Sequence, residues 1–158
     1  MAGRITKAES QLKPDPRFGS KQLARFINCI MKDGKKTAAT RVVYDAFDII
    51  ERKMKGKASA IEVFETAVDH VKPHVEVRSK RVGGANYQVP MQVSRRRQQS
   101  LAFRWIIQAA RSVSGKPMAE KLARELMDAF NKEGKAMNTR DQTHRMAEAN
   151  KAFSHFAW

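Results

Sequence analysis

The chain has 158 residues, the length of one domain, and its 42% hydrophobic content is that of a chain with a packed core rather than a disordered one. Its 31 Lys and Arg against 16 Asp and Glu leave a net charge of +15, which points to a polyanionic partner, nucleic acid first among them. No run approaches the roughly 18 apolar residues of a membrane span, and the basic residues are spread along the chain rather than along one amphipathic helix.

The single Cys29 excludes an internal disulfide framework and fits a reducing compartment. Met1-Ala2-Gly3-Arg4-Ile5 lacks the apolar core of a signal peptide, so a cytoplasmic chain with no membrane partner is expected.

Residues 1–19 are polar and punctuated by Pro14, Pro16 and Gly19, and they carry Arg4, Lys7, Lys13 and Arg17. They read as an extended basic arm that orders on RNA, ahead of a single helical domain over 20–158. Ser20 caps a first helix with Leu23, Phe26, Ile27, Ile30 and Met31 at helical spacing, stopped by Asp33-Gly34. A second runs from about Thr37 to Gly56 with Val42, Val43, Ala46, Phe47 and Ile50 inward. Ser59 and Glu62 form a capping box for a third, which carries Ile61, Phe64, Val68 and Val71 and ends at Pro73.

The rhythm then becomes alternating. Val75 and Val77, and after Gly83-Gly84 Tyr87, Val89, Met91 and Val93, predict a β-hairpin at about 74–93. Pro90 cannot donate to a ladder, so the hairpin is expected to be a free two-stranded ribbon. A fourth helix follows from about Ser94 to Ser114-Gly115, and a fifth starts near Pro117 with Ala119, Leu122, Ala123, Leu126, Met127 and Phe130 inward, closed by Gly134. Thr139 with Gln142 opens a sixth toward Asn150, before an aromatic tail of Phe153, Phe156 and Trp158. The fold class is therefore mainly α: a six-helix bundle with one protruding β-ribbon between the third and fourth helices.

Searches for catalytic and metal-binding patterns return nothing. Gly34-Lys35-Lys36-Thr37 lacks the first glycine of a phosphate-binding loop, and Pro73 keeps His70 and His74 off one helical face. His144 and Glu148 read as a surface pair, and no cofactor is implied. The fourth helix is apolar around most of its circumference, so Trp105 reads as core, while Arg97, Arg104 and Arg111 share one narrow polar stripe. That stripe, continued by Arg95 and Arg96, can follow a phosphate backbone. Arg78, Lys80 and Arg81 on the ribbon, with Asn86 and Tyr87 on the return strand, offer phosphate contact, base-edge hydrogen bonds and stacking. The tail aromatics fit a stacking platform and an anchor to the core equally well. A DNA-architectural protein with a basic ribbon arm is the alternative reading, but no apolar dimer face is visible.

Five stretches then occur in order: Pro14-Asp15-Pro16-Arg17-Phe18-Gly19-Ser20, Met31-Lys32-Asp33-Gly34-Lys35-Lys36, Arg81-Val82-Gly83-Gly84 with Tyr87-Gln88-Val89-Pro90, Leu101-Ala102-Phe103-Arg104-Trp105, and His144 through Phe153. Together they closely resemble the bacterial-type small-subunit ribosomal protein seven family, from Pro14 to Trp158. The resemblance implies six helices and one ribbon, no enzymatic activity, and primary binding to the 3′ major domain of small-subunit ribosomal RNA, where the subunit head begins to assemble. It implies neighbouring head and platform proteins as partners, and a ribbon near the exit-site tRNA and the point where mRNA leaves. The arm through Arg17, Lys35-Lys36 and Arg95-Arg97 match family RNA-contact regions; Arg78, Lys80 and Arg81 match the ribbon. Two departures stand out: an arm with only Arg4 and Lys7 before Lys13, and an ending without the family's usual tyrosine and arginine.

Overall fold

The computed structural model describes residues 11–157. Arg4, Lys7 and Trp158 lie outside the described residues. The elements in chain order are α1 (Lys21–Ile30), α2 (Lys36–Met54), α3 (Ala60–Val71), β1 (Val75–Val82), β2 (Ala85–Gln92), α4 (Arg95–Arg111), α5 (Met118–Phe130), α6 (Lys135–Ala149) and a 3-10 turn (Lys151–Phe156). The chain is mostly helical, with one two-stranded antiparallel ribbon between α3 and α4, as expected from the sequence. No helix of the described residues is long and apolar enough to cross a membrane.

The core is organised around phenylalanines from four helices. Phe26 of α1 lies 5.0 Å from Phe64 of α3 and 5.2 Å from Phe103 of α4, and Phe47 of α2 lies 5.8 Å from Phe64. All four are essentially inaccessible. The rings are tilted or edge-on, the arrangement that aromatic quadrupoles favour. α5 fills the remaining side of the bundle with Leu122, Ala123, Leu126 and Ala129.

Local signals set several ends. Ser20 Oγ accepts from the Leu23 N–H, and Ser59 and Glu62 form the expected capping box. α2 ends on Lys55, left-handed at φ 45°, before Gly56. Gly83 and Gly84 both have positive φ, 57° and 88°, which a type I′ hairpin turn demands. The ribbon closes with Val82 opposite Ala85 and runs to Val75 opposite Gln92. Counted from the turn, Pro90 opposite Val77 falls at a position whose N–H points away from the partner strand, so its missing donor breaks no ladder bond. The register also separates the two apolar sets: Val75 and Val77 share one face with Pro90 and Gln92, whereas Tyr87, Val89 and Met91 share the other with Glu76, Arg78 and Lys80.

The structure corrects several boundaries. α4 stops at Arg111, short of Ser114-Gly115. α5 ends at Phe130, and Gly134 does not close it but starts α6 at Lys135, four residues before Thr139. The carboxylate of Glu125, on α5, accepts the Ala136 N–H at 2.8 Å and supplies the cap that α6 lacks locally. Burial pushes the Glu125 carboxyl above its ordinary value, against the Ala136 bond, which pulls it down. Gly134 has φ 95°, and a Cβ there would sit 3.0 Å from Glu125 Oε1, so the two residues are fitted to each other.

Several side chains also differ from expectation, Ala119, Met127 and Phe130 of α5 being only partly buried against the core. Val42, Ile61 and Trp105 are half-buried rather than central; Ile61 and Trp105 pack against the core from its edge.

Candidate nucleic-acid interface

The stripe on α4 emerges as the periodicity requires. Leu101, Ala102, Phe103, Ile106, Ile107, Ala109 and Ala110 are buried, while Arg104, Gln108 and Arg111 are exposed and Arg97 is half-exposed. From Arg97 to Arg111 the stripe covers roughly 21 Å of helix axis. Its far end is fixed to α1: Arg111 Nη2 donates to the Ile30 carbonyl at 3.0 Å, which satisfies a terminal acceptor of α1. Near the start of α4, Arg25 Nη1 donates to Gln99 Oε1 at 2.8 Å and holds α1 against α4.

Between those helices lies a shallow cleft of about 270 Å³, lined by Arg25, Asn28, Cys29, Arg96, Gln99 and Ser100 among others. Burial raises the Cys29 thiol above its ordinary value, and the cations Arg25 and Arg104 only partly offset this.

The turn between α1 and α2 continues the basic surface. Asp33 and Gly34 both take positive φ, 54° and 70°, and swing the chain so that Lys35 and Lys36 are exposed at the start of α2. Two helices thus begin on cations. α2 starts with Lys35 and Lys36, and α4 with Arg95, Arg96 and Arg97; neither has an acidic residue in its first turn or a capping side chain. Cations at the positive end of a helix dipole disfavour the free protein and reward an external anion.

The ribbon divides into two parts. At its base Arg78 and Arg97 both bind the buried Glu76. Farther along, Lys80 Nζ donates to the Phe156 carbonyl at 2.8 Å, and Tyr87 packs on Phe153 and Phe156 at 5.2 and 5.1 Å. Phe153 and Phe156 therefore anchor, but on the ribbon rather than on the helical core. Arg81 and Asn86, paired across the strands beside the turn, are exposed.

The sequence reads Arg17 as a phosphate ligand on an extended arm that orders on RNA. In the structure, Asp15 is buried and accepts from the N–H groups of Arg17 and Phe18 and from the Tyr44 hydroxyl. The Arg17 guanidinium stacks near Phe18 and Tyr44 and pairs with Asp48 at 2.6 Å. Lys13 stays exposed on the rim of a groove shared with Lys36 and Arg41. Arg25 was missed because it falls in an ordinary amphipathic helix, and Glu76 because an acid in a basic ribbon reads as a solubilising charge.

His144 does not pair with Glu148. Its Nε2 accepts the His74 N–H at 3.2 Å, and the two rings stack 6.0 Å apart at the foot of the ribbon. His70, through Nδ1, lies 3.0 Å from the Ala129 carbonyl. Among the described residues, no group of His, Cys, Asp and Glu side chains is arranged to hold a metal ion.

Residues 2–151 match the family model described as ribosomal protein S7p/S5e. The chain is 60% identical over 156 residues to the small ribosomal subunit protein uS7 of Rhodopirellula baltica, covering 99% of each. It is 52% identical over 158 residues to the protein of that name from Methylobacterium radiotolerans, covering 100% of each. With the Thermotoga neapolitana protein the identity is 55% over 148 residues, 94% of each.

Proposed function

Because the chain belongs to the ribosomal protein S7p/S5e family, we propose that it anchors on the 3′ major domain of small-subunit ribosomal RNA and organises assembly of the subunit head. The coarser identity follows from membership: it is a structural component of the small ribosomal subunit and not an enzyme. The observation that carries the RNA reading is the continuous basic face formed by the turn at Lys35-Lys36, the stripe from Arg111 through Arg104 to Arg97, and Arg95-Arg96. Two helix starts on that face carry cations against their own dipoles, a local cost that bound phosphates would reverse.

In this reading the ribbon tip, Arg81 with Asn86, faces exit-site tRNA and the emerging mRNA, while Arg78, Lys80 and Tyr87 support it from behind. Lys13 joins the anchoring face, and Arg4 and Lys7 extend it. The domain is read as cytoplasmic, with neighbouring head and platform proteins as its protein partners.

The test is direct. The purified chain should bind a transcript of the 3′ major domain with a steep salt dependence and co-sediment with small subunits after a moderate salt wash. A shortened ribbon lacking Arg81 through Ala85, closed by a two-residue turn, should still enter subunits but hold exit-site tRNA less well. Subunits that reject the shortened chain would make the tip an assembly element instead.

A further inference from the structure

Glu76 is an acid in the wrong place for electrostatics alone. It sits on β1 beneath the arginines of the basic face, with its side chain only 11% exposed, while those of Arg78 and Arg97 remain 47% and 39% exposed. Its two oxygens are used separately. Oε1 accepts from Arg78 Nε at 2.8 Å and lies 2.6 Å from its Nη2, and Oε2 accepts from Arg97 Nε at 3.3 Å and Nη2 at 3.2 Å. One inward carboxylate thus grips the Nε side of two guanidiniums, one on the ribbon and one on α4.

A guanidinium has five N–H donors in a rigid plane. With Nε and one Nη2 hydrogen turned inward, the remaining donors of each arginine point outward in a fixed orientation. Arg97 is in the first turn of α4, where it would otherwise be repelled by the helix dipole and by Arg95 and Arg96. A carboxylate this close to a phosphate-binding face repels the ligand through space, so its effect on binding has to come through the arginines it holds.

We propose that Glu76 is a positioning residue for RNA recognition: it locks Arg78 and Arg97 as a paired fork that receives adjacent phosphates where the ribbon meets α4. This rests on the RNA-binding reading above. It makes a prediction of unusual sign, because deleting a negative charge from the binding face should weaken the binding of a polyanion.

The experiment measures affinity of the full chain for the 3′ major domain transcript across a salt series. Glu76→Gln keeps the shape but not the paired acceptor, since its amide N–H₂ faces one of the two guanidiniums. Affinity should fall roughly fivefold, the lower range of coupling within one hydrogen-bonded network. In an Arg78→Gln/Arg97→Gln background the same change should have no further effect, which a general loss of fold would not reproduce. Arg97→Lys, which keeps both the charge and Glu76, is the second variant and should lose affinity similarly because an ammonium cannot present the fork.

Thermal melts accompany each variant. A Glu76→Gln chain that binds as tightly as wild type, or tighter, overturns the proposal while leaving the RNA reading intact. A wild-type chain with no salt-dependent binding removes the RNA reading and this proposal with it.

Discussion

Replacing Lys35 and Lys36 together by Ala isolates the contribution of the turn between α1 and α2. Both side chains are exposed, and neither makes an ion pair or side-chain hydrogen bond among the described residues. Nothing among the described residues neutralises them, so each is available to displace a counterion from a phosphate. At about 0.9 units of log–log slope per phosphate, losing both should flatten the salt dependence by about 1.8 units. Between about 50 and 200 mM salt, the wild-type advantage should then shrink roughly twelvefold. Fluorescence anisotropy against the 3′ major domain transcript reads this directly. The free protein should melt no lower than wild type, because two cations leave the positive end of α2. Arg17→Ala is the internal comparison, since its guanidinium is already paired with Asp48 and should contribute little slope. Equal flattening by Arg17→Ala and the lysine pair, or none by the lysines, would refute the assignment of free and engaged cations.

Phe64 touches three other core rings, so Phe64→Ala should cost about 3–5 kcal/mol in a urea titration, with the slope of the transition unchanged. Gly134→Ala should destabilise by about 1–3 kcal/mol, because φ 95° is a conformation other residues avoid and the added Cβ meets Glu125 and Asp128; the urea midpoint checks it. Burial first, then Arg140 and His74, hold the His144 imidazole below its ordinary value. Its contribution to stability is therefore complete above about pH 6.5 and is lost as pH falls through the lowered folded value, because the unfolded chain takes the proton first. The pH dependence of stability from about 7 to 5 should be shallower in His144→Gln, and an unchanged profile would remove His144 from the linkage.

The parts of this fold legible in the sequence are those whose causes are local in the chain. Leu23, Phe26 and Ile27 announce α1 by spacing, Ser59 with Glu62 announces the start of α3, and Gly83-Gly84 announces the turn of the ribbon. The start of α6 was misread because its cap comes from Glu125, eleven residues earlier and on another helix. Thr139 offered a plausible local alternative, yet its hydroxyl donates to the Lys135 carbonyl within the helix. The candidate site shows the same division. Periodicity alone brought Arg97, Arg104 and Arg111 to one stripe, but it could not show that Arg17 is committed to Asp48 or that Arg97 is held by Glu76. Those pairings join residues 31 and 21 positions apart, and only the packing of α2 and of the ribbon brings them together.

The ribbon shows why such distant pairings matter for what the molecule can do. A lone two-stranded hairpin is marginal in water. This one is held at its foot by the His74 N–H on His144, just above by Glu76 between Arg78 and Arg97, and midway by Tyr87 and Lys80 on the closing turn. These supports fix side chains that composition alone would count as loose: Lys80 and Tyr87 are turned onto the tail, and Arg78 and Arg97 are held in place by Glu76. At the tip, beyond these supports, the exposed residues are Arg81, the two glycines of the turn, Ala85 and Asn86. The supports therefore sort the ribbon's polar residues by distance from the body, with those at the base merging into the anchoring face and those at the tip projecting beyond it. On the proposed reading, a stiff ribbon places one arginine and one amide at a fixed reach. Loosening the supports at His144 or at Tyr87 and Lys80 should blur that reach before it weakens anchoring, because the stripe on α4 and the lysines of the first turn do not depend on the tip, whereas loosening Glu76 should affect both.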